Sequence, residues 1–469
     1  EDIGMVVSGY ANIEDPAPTD NFVLAKIIIS EYADDMGDPI VLWKHEYGGN
    51  GEDRARSLIK ASDGGYVLAG ETESFPNGAL SDNGWIVKTD ENGDAGIDLY
   101  VSNDGDNSNL GTVDSPLETI SAAFDRVFLK TDTVFVYPGE YNHPTSDFPD
   151  YTNLVSLGGS EVTTLNDIND GSVIWLHDKY SFYMKGFNLK TEQNNTDQTI
   201  IYINHWYNLE NQDWHLPPAS YIFDDIKIVN QTSSLLYASS NFYDNDHGAP
   251  PILTIKNSLI ADNSIDNSME CNQASMRIDN TFDVRIYNTT IANNIRTNCS
   301  FNPQLYVSST GYEIGMASET HSILTIKNSI ISTGVFAPLS DIINTSFGSP
   351  SSHNGYAITI DYNLFDALFD DGYAMDHIGG NNIATLDPKF VDAENGDYRL
   401  SAASLAIDKG DPESELDPDG TRKDLGYRFF DQNETPLIFG CTDPNNEYYN
   451  ADATTDDGSC ELVYQNQII

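Results

Sequence analysis

An all-β chain built mainly as a solenoid of stacked parallel coils is the fold class this sequence predicts, and three observations predict it. The word LTIKNS is written twice, at 253–258 and 324–329, 71 positions apart in 469 residues. Related words recur around it: YMKGFNLKTEQ from Tyr183, IFDDIKIVNQT from Ile222, VRIYNTTIANN from Val284 and ITIDYNLFDAL from Ile358. Elsewhere, short alternating strands are separated by Gly, Asp and Asn turns with no helical period.

The first ninety residues carry a repeat of their own. GMVVSGY (4–10) matches GYVLAGE (65–71) 61 residues later, and DNFVLAK (20–26) matches DNGWIVK (82–88) 62 later. Two matched pairs at nearly one period define a repeat. Four short strands make one blade of a propeller. The stretch 43–75, WKHEYGGNGEDRARSLIKASDGGYVLAGETESF, resembles a bacterial propeller-type repeat, with Asp63, Gly64 and Gly65 as the tight turn. Fewer than two units are present, so residues 1–95 are expected to form a partial β-propeller-like region.

The coil words answer one another at a fixed position. The fifth residue of the pattern falls at Gly186, Asp225, Asn257, Asn288, Asn328 and Tyr362, at intervals of 39, 32, 31, 40 and 34 residues. Each copy reads as an apolar-x-apolar strand, a polar or glycine corner, then a second apolar strand. The core face of a coil must stack on its neighbours, so the strand words stay alike, whereas loops are free to differ. Asn257, Asn288 and Asn328 are expected to stack as an amide ladder along one corner. About ten coils at ~4.8 Å each imply a rod on the order of 50 Å.

The flanks sharpen the expectation. The segment 99–124, LYVSNDGDNSNLGTVDSPLETISAAF, resembles the entry of secreted right-handed parallel β-helix proteins of the pectate-lyase-like kind, in which a short amphipathic helix caps the open end. Ser115 is its expected N-cap and Pro116 its first-turn residue. The segments 387–412 and 417–429 resemble the exit of the same family. This assigns 96–430 to a right-handed parallel β-helix. The remainder, 431–469, contains GCTDPNNEYYNADATTDDGSC, which resembles a Cys-bracketed module of exported bacterial proteins that use type IX secretion. Cys441 and Cys460 are expected to close it as a disulfide, with Cys271 and Cys299 as a second pair. No CxxC spacing suggests zinc. Asp443, Asp452, Asp456 and Asp457 are the candidate ligands of a calcium ion, the only cofactor in prospect.

Lys+Arg is 23 against 73 Asp+Glu, a formal charge of −50. That field disfavours nucleic acid and anionic membranes as partners. No apolar run approaches the ~18 residues of a membrane span. The opening EDIGMVVSGY reads as the middle of a domain, so a mature chain or a fragment of something larger is expected.

Candidate chemistry follows the fold. Lys185, Lys227, Lys256, Arg285 and Lys327 recur at strand positions and read as solvent-facing alternation. NTD (195–197), DD (224–225), DHG (246–248) and RIY (285–287) follow the order of polygalacturonase motifs. That resemblance implies Asp197, Asp224 and Asp225 as the acid/base set and His247 as an auxiliary. Against it, Gly is missing after Asp197, Asp246 stands for a Gly, and Tyr287 stands for a substrate-binding Lys. The insertion INHWYNLENQDWHLPP offers Trp206, Tyr207 and Trp214 for stacking on sugar rings, and a His205–His215 pair. The expected function is a non-enzymatic structural or adhesive module of a large secreted or cell-surface bacterial protein. Its expected partners are glycans or other surface proteins. The alternative is a hydrolase or lyase acting on acidic polysaccharides.

Overall fold

The computed structural model describes residues 3–12, 20–29, 40–47, 52–62, 64–73, 83–93, 95–96, 98–127, 132–144, 148–149, 152–167, 172–179, 181–191, 199–205, 219–240, 250–265, 274–279, 282–296, 304–309, 322–333, 337–338, 343–347, 357–368, 379–385, 387–433, 444 and 446.

The body of the protein is a parallel β-helix. A 16-stranded sheet forms one side, and its strands bend at a corner into two limbs. The upstream limb runs through Asp98–Val101, Thr133–Val136, Thr152–Ser156, the first halves of Ser181–Lys190 and Ser220–Val229, then Ile252–Lys256, Asp283–Tyr287, Ser322–Lys327 and Ala357–Asp361. Every neighbouring pair in this series is parallel. A six-stranded parallel sheet closes the other side, from Ile174–His177 to Ile343–Phe347. Parallel crossover connections within one sheet take the right hand.

The repeated word is explained by this stacking. Leu253 lies against Val284, Val284 against Leu324, and Leu324 against Ile358. Leu253, Val284 and Leu324 are fully buried in a single core that runs the length of the rod. Each such side chain contributes on the order of 1.5–3 kcal/mol by leaving water. The word is conserved between coils because each copy is the floor on which the next copy packs.

The corner has a backbone cause. Gly186, Asp225, Asn257, Asn288, Asn328 and Tyr362 all have positive φ, between 47° and 84°. Left-handed backbone costs ordinary L-residues roughly 1–2 kcal/mol, and Gly, Asn and Asp the least. The fifth position of the word is thus set by φ rather than by its side chain, and the expected amide ladder does not form there. Asn257 Nδ2 donates to Asp224 (2.7 Å), and Asn328 turns outward to Ser414 Oγ (2.9 Å) and the Asp411 amide (2.7 Å).

The ladder exists one corner later. Asn230, Asp262 and Asn293 are left-handed in turn, and the residues that follow them point inward. Asn263 Oδ1 accepts from the Gln231 amide (2.8 Å), and Asn294 Oδ1 accepts from Asn263 Nδ2 (2.7 Å). Asn263 and Asn294 each donate down to a carbonyl, of Ile228 and Ile260. Their exposures are 0% and 1%, so these amides satisfy backbone groups that would otherwise be buried without partners.

At the N-terminal end a five-residue helix, Ile120–Phe124, buries Ile120, Ala123 and Phe124 in the rod core. Its N-cap is Thr119, not Ser115: Thr119 Oγ1 accepts from the Ala122 amide at 3.2 Å. Leu117 is the reason. It is fully buried and bridges Val101 as extended backbone, which holds 115–117 out of the helix.

Before the rod stand two three-stranded antiparallel meanders, Ile3–Asn12/Asp20–Ile29/Ile40–Tyr47 and Asp53–Lys60/Tyr66–Thr72/Asn83–Lys88. They share a core separate from that of the rod, with Phe22 of the first ring-to-ring with Trp85 of the second at 4.7 Å. The Gly64–Gly65 turn is steric: Gly64 has φ 96°, and a Cβ on Gly65 would lie 2.0 Å from Thr89 O. Asp63 lies outside the described residues.

After the last coil, residues 387–433 fold back along the outside of the rod. Tyr398, Leu400, Ala406 and Leu425 cover Leu259, Ala261, Ala292, Ile330 and Leu364 on the downstream limb. These strands are therefore buried on both faces, which is why words such as LIA (259–261) are continuously apolar.

Candidate functional site

Of the acid/base set implied by the polygalacturonase-like order, Asp224 and Asp225 are described; Asp197 and His247 lie outside the described residues. Asp224 ends an upstream strand, 5% exposed. Asn257 donates to its Oδ1 (2.7 Å), and Tyr183 (3.2 Å) and Lys256 (3.4 Å) reach Oδ2. Burial, and then the Asp224 charge, push the Tyr183 phenol up to about 12. Asp225, at the left-handed corner, points elsewhere, accepting from Ser160 Oγ (2.8 Å) and the Ser160 amide (3.3 Å). The two carboxylates are adjacent in sequence but bound to different coils, and each is engaged in holding the rod together.

The recurrent cations face outward as expected, and most are paired. Lys256 meets Asp224, Arg285 meets Asp283 (2.5 Å), Lys327 meets Asp411 (2.7 Å) and Lys227 meets Glu161 (2.7 Å). The Asp283 hydrogen bonds hold Arg285 above its ordinary pKa. The Lys327 pairing keeps Asp411 below the usual carboxylate range.

The loop aromatics Trp206, Tyr207 and Trp214 lie outside the described residues, as does His215. So do the calcium candidates Asp443, Asp452, Asp456 and Asp457, and all four cysteines. Among the described residues no group of three or more His, Cys, Asp or Glu is placed to hold a metal ion. His205 is buried and bonds through Nδ1 to the Tyr221 hydroxyl (2.8 Å).

The structure instead assembles an aromatic column that no word alignment revealed. On the outer face of the six-stranded sheet, Trp175 is in register with Tyr202, Tyr202 with Tyr237, Tyr237 with Arg277, and Arg277 with Tyr306. Trp175 is 55% exposed and meets Tyr202 edge-on at 6.2 Å. Tyr202 and Tyr237 stack at 5.5 Å with planes 24° apart. Arg277 lies over the Tyr306 ring at 5.5 Å and is anchored to Asp279 at 2.6 Å.

Two positions further along the same strands runs a polar column of His177, Asn204, Ser239 and Asp279, also in register. A flat strip of rings beside a strip of hydrogen-bonding groups suits a sugar chain, whose rings offer apolar C–H faces and whose edges carry hydroxyls. The sequence signal was present in the alternation of TIIYINH, SLLYASS and QLYVSS. Variable loops separate these strands from the recurrent words, so the alternation falls outside the repeated pattern.

No family model matches the chain, and no curated protein matches it. Among solved structures it is similar to a pectate lyase, Pel9A, at 14% identity and a TM-score of 0.25, over 71% of this chain and 96% of that one. It is also similar to a rhamnogalacturonan lyase at 13% identity and a TM-score of 0.30, over 66% of this chain and 96% of the other. Resemblances this distant do not bear on activity. The class the coils define is a parallel β-helix protein.

Proposed function

We propose that this protein is a rigid, non-enzymatic adhesive module of a secreted or cell-surface bacterial protein, and that its six-stranded sheet docks glycan chains. The observation that carries the reading is the in-register column of Trp175, Tyr202 and Tyr237 on an open β-helix face. The rod supplies rigidity: its single core presents these rings one per coil, so little ordering cost remains when a repeating polymer lies along them. Among the described residues no helix is long and apolar enough to cross a membrane, which accords with export. The commitment of Asp224 and Asp225 to structural hydrogen bonds supports a binding role over a hydrolytic one.

The test is affinity electrophoresis and tryptophan fluorescence against a panel of neutral and acidic polysaccharides. Retardation by at least one glycan, reduced about tenfold or more by Trp175→Ala or Tyr237→Ala, is the expected result. Turnover of any polysaccharide, lost in Asp224→Ala with the circular dichroism unchanged, would establish the enzymatic alternative instead.

A further inference from the structure

The downstream limb changes character along its length. Its outer positions read Leu259, Ala261, Ala292, Ile330 and Leu364 where the chain folds back over them. In earlier coils the Leu259 column reads Lys227, then Asn188, then Thr164, the Ala261 column reads Val229, and Lys190 lies beside Asn166. Among the described residues a groove of about 630 Å³ lies where the columns turn polar.

Asn142, Asn166, Asn188, Lys190, Lys227 and Asn230 line it. Asn142, Asn166 and Lys190 stack in register across three coils, about 4.8 Å apart, a spacing of the order of one pyranose ring. Among the described residues the four asparagine side chains have no hydrogen-bond partner in the protein, and Lys190 has no carboxylate within ion-pair distance. Lys227 is partly neutralised by Glu161. Asp167 also lines the groove, but it is 4% exposed and already has partners within the protein. The Oδ1 of Asn188 is buried with nothing donating to it, so the residue meets the groove through its Nδ2.

We propose that this groove is a second saccharide site, specific for an anionic sugar. The amides offer hydrogen-bonding groups that complement vicinal hydroxyls, and Asn188 presents its Nδ2 to the ligand. Lys190 takes the ligand's anionic group. The chain's overall charge of −50 does not forbid this, because at physiological salt it is screened over about 8 Å, which leaves the nearby lysines to set the local field. The site stands apart from the aromatic column and does not depend on it.

Isothermal titration of the whole chain with three probes tests the proposal: trigalacturonate for a carboxylate, a carrageenan-derived tetrasaccharide sulfate for a sulfate, and maltotriose as the neutral control. Binding of one or both anionic probes is expected, weakened about tenfold or more by Lys190→Met and by Asn188→Ala, unchanged by Trp175→Ala, and falling with added salt. Whichever anion binds more tightly identifies the anionic group. Absence of binding by both anions, equal binding of maltotriose, or wild-type affinity in Lys190→Met would overturn it. Loss in Trp175→Ala alone would assign the binding to the aromatic column instead.

Discussion

The carboxylate of Asp225 bonds to Ser160, 65 residues earlier, by reaching across the coil that lies between them. That coil contributes Gly186 at the intervening corner. A Cβ there would lie 3.0 Å from Ser156 Cβ and 3.1 Å from Gly159 Cα, on backbone with φ 84°. The missing side chain is what lets one coil skip its neighbour and clamp the next.

Gly186→Ala is therefore expected to destabilise the rod by about 1–3 kcal/mol, from left-handed backbone strain plus the tight contacts. Asp225→Ala should cost a similar amount, because Ala is poorly suited to that φ and the Ser160 turn loses its acceptor. Asp225→Asn should cost less, since Asn tolerates the backbone and keeps one acceptor oxygen. Urea unfolding monitored by circular dichroism ranks the three; wild-type stability in Asp225→Ala would show that the clamp contributes nothing.

The two corners should respond differently to substitution. Asn294→Ala removes the Oδ1 that accepts from Asn263 and the Nδ2 that donates to the Ile260 carbonyl in a dry interior, at roughly 1–3 kcal/mol for each lost interaction. Asn288→Gly keeps the left-handed corner and should be nearly neutral, within about 0.5 kcal/mol. A comparable loss at both positions would contradict the placement of the ladder.

Asp424 governs stability at mildly acid pH. Burial pushes its carboxyl up from 3.8 to about 6, against amide donors from Asp408 and Phe430 that act the other way. Between these values the folded chain holds a proton that the unfolded chain has released, so this group's contribution is full below 3.8 and declines as pH rises through about 6. Asp424→Asn should remove that decline from the pH dependence of the thermal midpoint. A difference between variant and wild type that does not change from pH 4 to 7 would exclude it.

His205 acts in the opposite sense. Burial pushes the ring from 6.5 down to about 4, and Nδ1 contacts a Tyr221 hydroxyl that itself donates to Lys179 O. The unfolded chain takes up a proton as pH falls below 6.5 while the folded chain resists until about 4, so stability is lost with acidification across that window. His205→Phe should abolish this acid loss, at some cost in neutral stability from the lost contact with the Tyr221 hydroxyl. An unchanged acid slope in the variant would refute the assignment.

The two cysteine pairs are expected to be closed, Cys441 with Cys460 and Cys271 with Cys299. Peptide mapping without reduction should recover both linked fragments, and alkylation of the native protein should label none of the four; recovery of free thiols would refute the pairing.

The sequence by itself determined the coil. Recurrent words with one left-handed residue at a fixed place settle the strands, the corner and the parallel stacking, because backbone sterics and like-on-like packing act locally and repeat. The location of Gly186, Asp225, Asn257, Asn288, Asn328 and Tyr362 at that corner was legible for this reason. What the words left open is everything that depends on register between distant segments. Which asparagines point inward was decided by the direction a side chain takes after a left-handed residue, and so the ladder belongs to Asn263 and Asn294. The Trp175–Tyr202–Tyr237 column needed loops of different length to return each strand to one line. The groove beside Lys190 gathers Asn142, Asn166, Asn188 and Lys227 from four successive coils. Such features arise from tertiary packing between residues tens to hundreds of positions apart, and no local pattern encodes where that packing ends.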